Sequence, residues 1–166
     1  MGAKTAISVE QDLHTSFPGL DQEYRDGEPV KRALPDYLHS MTQGLLVAFF
    51  GALRKKVRVF VCPELRMKLR TGLYLIPDVA VFHPTEPKAP VADTPPLVAI
   101  EILSPGHRLT AVREKLQQYK TWDVPHVWLV DPHSKRMHTC DDGLVESSTL
   151  RIPELGAEVT PNDIFE

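Results

Sequence analysis

Cysteine is scarce in this chain of 166 residues: there are two, Cys62 and Cys140, set far apart. With no CxxC pair and no cysteine–histidine cluster, the sequence offers neither a disulfide framework nor a zinc signature, and a reducing cytosol is the expected compartment. No apolar run approaches the roughly 20 residues that a membrane span needs, and no secretory leader stands out. The expectation is a cytoplasmic, soluble chain with no membrane partner. A basic excess is also missing, since 19 Lys and Arg face 22 Asp and Glu for a net charge of −3. The bulk signature of a nucleic-acid binder is therefore absent, although a local basic face would escape that count. There is no internal repeat and no low-complexity tract. What remains, 42% apolar and 25% charged residues, is ordinary for one globular domain with its own core.

Residues 1–20 lack periodicity and read as a loose arm, which leaves 21–166 as a single domain. Asp26-Gly27 between two strand-like segments is a hairpin signal. From Asp36, a potential cap, the stretch "DYLHSMTQGLLVAFFGALRKK" reads as a helix closed by Arg54-Lys55-Lys56 at its negative dipole end. Val57, Val59 and Val61 alternate as a strand. Arg66, Lys68 and Arg70 alternate with Met67 and Leu69, giving a second strand with one basic and one apolar face. That basic stripe fits either contact with a phosphate backbone or a solvated strand face that discourages edge pairing. A third strand follows in "IPDVAVF", then a loop holding five of the 15 prolines. "HRLTAVREKLQQYKTW" is a helix by the recurrence of Leu109, Val112, Leu116 and Tyr119. "HVWLVDP", "KRMHTCDDG" and "LVESSTLRIPEL" supply three more strands. The order is a mixed α/β domain on one central sheet.

One stretch stands apart. In "LVAIEILSPG" the apolar run from Leu97 to Leu103 carries Glu101 at its centre. Such a run is a strand covered on both faces, where an unpaired carboxylate costs several kcal/mol. Glu101 must be ion-paired within the fold, face solvent through a shifted register, or meet a cation. Asp78, after Pro77, opens the preceding strand, and neighbouring strands can bring two such carboxylates onto one face. Oxygen donors without cysteine suit Mg²⁺ or Mn²⁺. Lys115, one helical turn from Tyr119, can be delivered towards them by the following helix.

Carboxylates on consecutive strands followed by a lysine resemble the PD-(D/E)xK nuclease superfamily. "IPDVAVF", "VAIEILSP", "REKLQQY" and "VPHVWLVDP" together resemble one bacterial branch of it, the Uma-two family of restriction-endonuclease-like proteins, from about Glu23 to the C-terminus. The resemblance implies a restriction-endonuclease-like fold: an αβββαβ core with a mixed central sheet flanked by helices, plus a terminal hairpin. It places Asp78 at the family's PD aspartate and Glu101 at its second acidic position. The superfamily's lysine two residues after the glutamate is here Leu103, and the branch takes its lysine from the next helix, at Lys115. Glu28 corresponds to a possible additional acidic ligand, and His39 to a histidine of the first helix. Ala111 stands where the branch has aspartate, and Gly106-His107 replace its usual Ser-Thr.

The implied activity is a divalent-metal-dependent endonuclease hydrolysing phosphodiester bonds, DNA being the expected substrate and a homodimer the expected assembly. Asp78 and Glu101 would hold Mg²⁺ or Mn²⁺, Lys115 would offset developing negative charge, and Arg66, Lys68 and Arg70 would follow the backbone. The competing expectation is a catalytically inactive nuclease-fold module that binds nucleic acid or a protein. Tyr119 and Trp128 read as core aromatics, and Asp131 as a turn residue. His107, His126, His133 and His138 show no ligand spacing.

Overall fold

Asp26 and Gly27 turn the chain back on itself with positive φ angles of 52° and 81°. That is the geometry of a two-residue type I′ turn, which Asp-Gly favours. It joins β1 (Glu23–Arg25) to β2 (Glu28–Val30). These coordinates are a computed structural model that describes residues 22–166. The expected arm, residues 1–20, lies outside the described residues.

Asp36 caps α1 (Tyr37–Leu53) by accepting the His39 N–H at 2.9 Å, as its position predicts. The strand expected from Val57 begins only at Phe60. Lys56 and Val57 both donate to the Leu53 carbonyl, so the helix end consumes those residues first. Next come β3 (Phe60–Pro63), β4 (Met67–Arg70), β5 (Leu73–Leu75), β6 (Val79–Phe82) and β7 (Val98–Ile102). Helix α2 (Leu109–Thr121) ends where Asp123 adopts a left-handed φ of 63° and Val124 N–H returns to the Tyr119 carbonyl.

After β8 (His126–Asp131) and β9 (Arg136–Cys140), the single last strand that the sequence suggests is divided. Ser147 Oγ accepts the Thr149 N–H and donates to its carbonyl, turning the chain between β10 (Leu144–Glu146) and β11 (Leu150–Ile152). β12 (Ala157–Val159) completes a terminal hairpin with β11, and the short α3 (Pro161–Phe165) follows.

The central sheet has six strands in the order β10-β9-β8-β7-β6-β3, and only β7 and β8 run parallel. The expected central sheet is joined by others that the sequence did not suggest. A second sheet, β2-β1-β5-β4, holds four strands, because Tyr24 pairs with Tyr74 and draws the N-terminal hairpin onto β5.

Alternation along β7 divides the core in two. Val98, Ile100 and Ile102 face a cluster with Leu46 and Phe50 of α1. Ala99, on the opposite face, joins Val112, Leu116 and Tyr119 of α2 and the apolar side of the small sheet. Burying one such aliphatic side chain is worth roughly 1.5–3 kcal/mol, so these clusters hold both helices against the sheet. Glu101 shares the α2 face with Ala99 by the same period of two.

Candidate active site

Where β6 begins, β7 runs on past it. Their ladder pairs Val79 with Ile100, and one further step sets Asp78 across from Glu101. Beyond that step Ile102 N–H has no strand partner on the β6 side. Asp78 Oδ2 accepts it at 2.6 Å, which fixes the aspartate at the sheet end. Both carboxylates are 4% exposed at the floor of a cleft of about 450 Å³. Its walls come from β1, the stretch 31–35, His39 of α1, Glu64, and the α2 residues Ala111, Val112 and Lys115.

Glu101 is satisfied entirely by α2. Tyr119 donates its hydroxyl to Oε1 at 2.8 Å, and Lys115 Nζ lies 2.8 Å from Oε1 and 2.9 Å from Oε2. Spacing of four residues stacks Lys115 and Tyr119 on one helix face, so both reach the same carboxylate. Lys115 also binds Glu23 Oε1 and the Ile76 carbonyl at 2.8 Å. An ammonium has three N–H groups, and three partners use them all.

In this structure the buried glutamate is held by an internal ion pair with Lys115. Burial still pushes the Glu101 carboxyl up to about 7, and the charges of Asp78 and Glu23 act in the same direction against Lys115. For Lys115, burial opposes the charged form, but Glu101, Glu23 and Asp78 outweigh it and raise its pKa. Burial beside the same carboxylates raises the Tyr119 hydroxyl well above its usual range.

Asp78 behaves oppositely. Burial disfavours its charge, yet the hydrogen bond from His39 and the nearby Lys115 hold its carboxyl below the ordinary value. His39 Nε2 is 3.3 Å from Oδ1, and Arg32 Nη2 approaches the same oxygen at 3.2 Å. Gln43 Nε2 donates to the Asp78 carbonyl at 2.9 Å and anchors its backbone to α1.

Asp78, Glu101, Lys115 and His39 therefore converge on one cleft. Glu28 does not join them: it is exposed on β2 and absent from the cleft lining. The acidic residue that reaches the cleft from this hairpin is Glu23, whose Oε1 accepts Ile76 N–H at 3.0 Å. Arg66, Lys68 and Arg70 also lie outside the lining. Lys68 Nζ sits 5.9 Å from the Tyr74 ring centroid, and Arg70 meets Asp26 at 3.3 Å. The basic groups that do line the cleft, besides Lys115, are Arg25, Lys31 and Arg32. His107 lines it too, with Nδ1 accepting the Ser104 N–H at 2.9 Å.

Glu23, Arg32, the Tyr119 hydroxyl and His107 are the site groups that sequence reasoning missed. Only Tyr119 left a usable trace, standing four residues after Lys115. Among the described residues no three His, Cys, Asp or Glu side chains form a ready metal-holding group. No helix among them is long and apolar enough to cross a membrane.

No curated protein matches this chain. A crystal structure titled as a "putative nuclease belonging to DUF820" from Anabaena variabilis ATCC 29413 superposes with a TM-score of 0.78 at 21% identity, over 96% of this chain and 98% of that one. The likeness establishes that the two chains share one mixed α/β fold. The Uma2 family, described as "putative restriction endonuclease", matches residues 10–166. With the match spanning nearly the whole chain, this protein belongs to the Uma2 family of nuclease-like proteins.

Proposed function

We propose that this protein is a divalent-metal-dependent endonuclease that hydrolyses phosphodiester bonds in DNA. The observation that carries the reading is the cross-strand placement of Asp78 and Glu101 in a cleft whose lining also includes Arg25, Lys31 and Arg32. Buried acids gathered in a cleft, with strongly perturbed proton affinity, are a mark of functional sites rather than of ordinary packing.

The donor chemistry fits Mg²⁺ or Mn²⁺: both carboxylates are hard oxygen ligands, no thiol adjoins them, and waters can complete the shell. Asp78 and Glu101 would hold the ion, and Glu23 adds negative charge nearby. When bound, such an ion polarises a phosphate and lowers the pKa of a water. Lys115 holds Glu101 and Glu23 in fixed orientations and limits their mutual repulsion. Tyr119 keeps the Glu101 rotamer. Arg25, Lys31 and Arg32 supply the field that draws in a polyanion, so association should weaken steeply with salt. A symmetric pair of sites suits the cutting of both strands of a duplex, so the proposal includes a homodimer.

One observation favours a second reading, an inactive binding module. Every oxygen of Asp78 and Glu101 already has a protein partner, so a metal must compete with those contacts for the remaining lone pairs. The two readings part in one assay: conversion of supercoiled plasmid in Mg²⁺ or Mn²⁺ by wild type, Asp78→Asn and Glu101→Ala. Cutting by wild type alone supports the enzyme. Equal cutting by all three identifies a contaminant, and no cutting by any supports the module.

A further inference from the structure

Asp78 has two cationic neighbours to choose from, and only one of them has donors to spare. Lys115 uses its three N–H groups on Glu23, Glu101 and the Ile76 carbonyl. Arg32 reaches Asp78 through Nη2 alone, at 3.2 Å, with Glu64 Oε1 at 3.9 Å from the same nitrogen. Charge-assisted pairs of good geometry lie at about 2.7–2.9 Å and are often bidentate, so this contact is loose for its type.

Arg32 also sits outside the sheet ladders and helices. Residues 31–36 form neither helix nor strand between β2 and α1. The Arg32 side chain is 19% exposed, against 5% for that of Asp78, so it covers the aspartate from the solvent side of the cleft.

The two oxygens of Asp78 are not equivalent. Oδ2 is tied to the Ile102 backbone at 2.6 Å. Oδ1 carries only side chains, Arg32 and His39. A cation entering the cleft meets Oδ1 first, and a guanidinium held against the same oxygen would repel it. The displaced group would still lie in the cleft, beside Arg25 and Lys31. A planar guanidinium matches phosphate oxygens as well as it matches carboxylates.

We propose that Arg32 is an exchangeable phosphate-binding residue: it pairs with Asp78 in the free protein, yields Oδ1 to an incoming divalent cation, and then takes a phosphate oxygen of the bound nucleic acid. The proposal rests on the nuclease reading above and adds a residue to it. It also makes cation and nucleic acid bind cooperatively, since each favours the arrangement the other needs.

The test uses the full chain with Arg32→Gln and Arg32→Lys. Mn²⁺ affinity is measured by calorimetry without nucleic acid. Affinity for a labelled DNA duplex is measured by anisotropy with Ca²⁺ in place of Mn²⁺. Losing one charge-assisted contact on each side predicts that Arg32→Gln binds Mn²⁺ about tenfold more tightly and duplex about tenfold more weakly. Arg32→Lys should shift both constants in the same directions by less, and it carries the test should the glutamine variant not fold. Unchanged constants, or a weakened Mn²⁺ constant, overturn the exchange while leaving the nuclease reading intact. No Mn²⁺ binding by wild type, or equal binding by Asp78→Asn, overturns the nuclease reading and the exchange with it.

Discussion

Lys115 Nζ lies 2.8 Å from Glu101 Oε1, with both residues at most 8% exposed. Removing one member of such a pair leaves the other charged and without its counter-ion. Lys115→Met strands both Glu101 and Glu23, and breaking buried pairs this way costs about 3–5 kcal/mol. Glu101→Gln is the milder change: its amide still meets Tyr119, and Lys115 keeps Glu23 and the Ile76 carbonyl. Urea unfolding of the two variants should rank Lys115→Met well below Glu101→Gln. Equal losses would show that the charges are not coupled.

The Glu101 carboxyl, pushed to about 7 from its ordinary 4.5, gives stability a defined pH dependence. An acid whose folded pKa is raised binds more protons when folded. Its contribution is full below about pH 4.5 and is lost as pH rises through 7. His107, whose pKa burial depresses below 6.5, works in the opposite direction, losing its contribution as pH falls. Comparison with Glu101→Gln cancels that background. The stability gap between wild type and variant should move against wild type between pH 5 and 8, by a few kcal/mol at most. A constant gap across that range would mean that Glu101 does not titrate there.

Tyr119→Phe isolates one hydrogen bond without changing the packing of the ring. The hydroxyl donates to a buried carboxylate, a class of contact worth about 1.5–3 kcal/mol. Its loss should destabilise the fold by that amount above pH 7, where Glu101 is ionised. Below pH 5 a neutral carboxyl needs the donor less, so the penalty should shrink. Thermal unfolding at both pH values decides it, and an equal penalty would show that the hydroxyl serves packing alone.

These residues also show where sequence reasoning reaches and where it stops. Asp36 and Asp26-Gly27 were readable because a cap and a tight turn depend on only a few neighbouring residues. Glu101 was readable because its strand is otherwise apolar, and Lys115 because a helical period places it beside Tyr119. Glu23 and Arg32 carried no comparable signal. They enter the cleft only because β1 pairs with β5 across a gap of 50 residues, from Tyr24 to Tyr74, and no local pattern encodes that contact. The basic alternation of Arg66, Lys68 and Arg70 predicted strand β4 correctly. It could not say that β4 joins the smaller sheet, away from the cleft lining.

The hairpin offers the sharpest contrast between family position and geometry. Glu28 and Glu23 stand on opposite strands of one turn, in the register Glu23↔Val30 and Arg25↔Glu28. Glu28 is exposed, whereas Glu23 binds Lys115 and the Ile76 N–H. Glu28→Gln should therefore change stability by no more than about 0.5 kcal/mol, as surface substitutions do. Glu23→Gln removes one of two carboxylates that hold Lys115, so Glu101 becomes its sole carboxylate partner beside the Ile76 carbonyl, and the ammonium competes more strongly with any cation there. Plasmid cleavage and Mn²⁺ calorimetry on the two variants should show weakened metal binding and slower cutting for Glu23→Gln alone. If Glu28→Gln is the variant that loses both, the hairpin presents a different residue to the cleft when substrate binds.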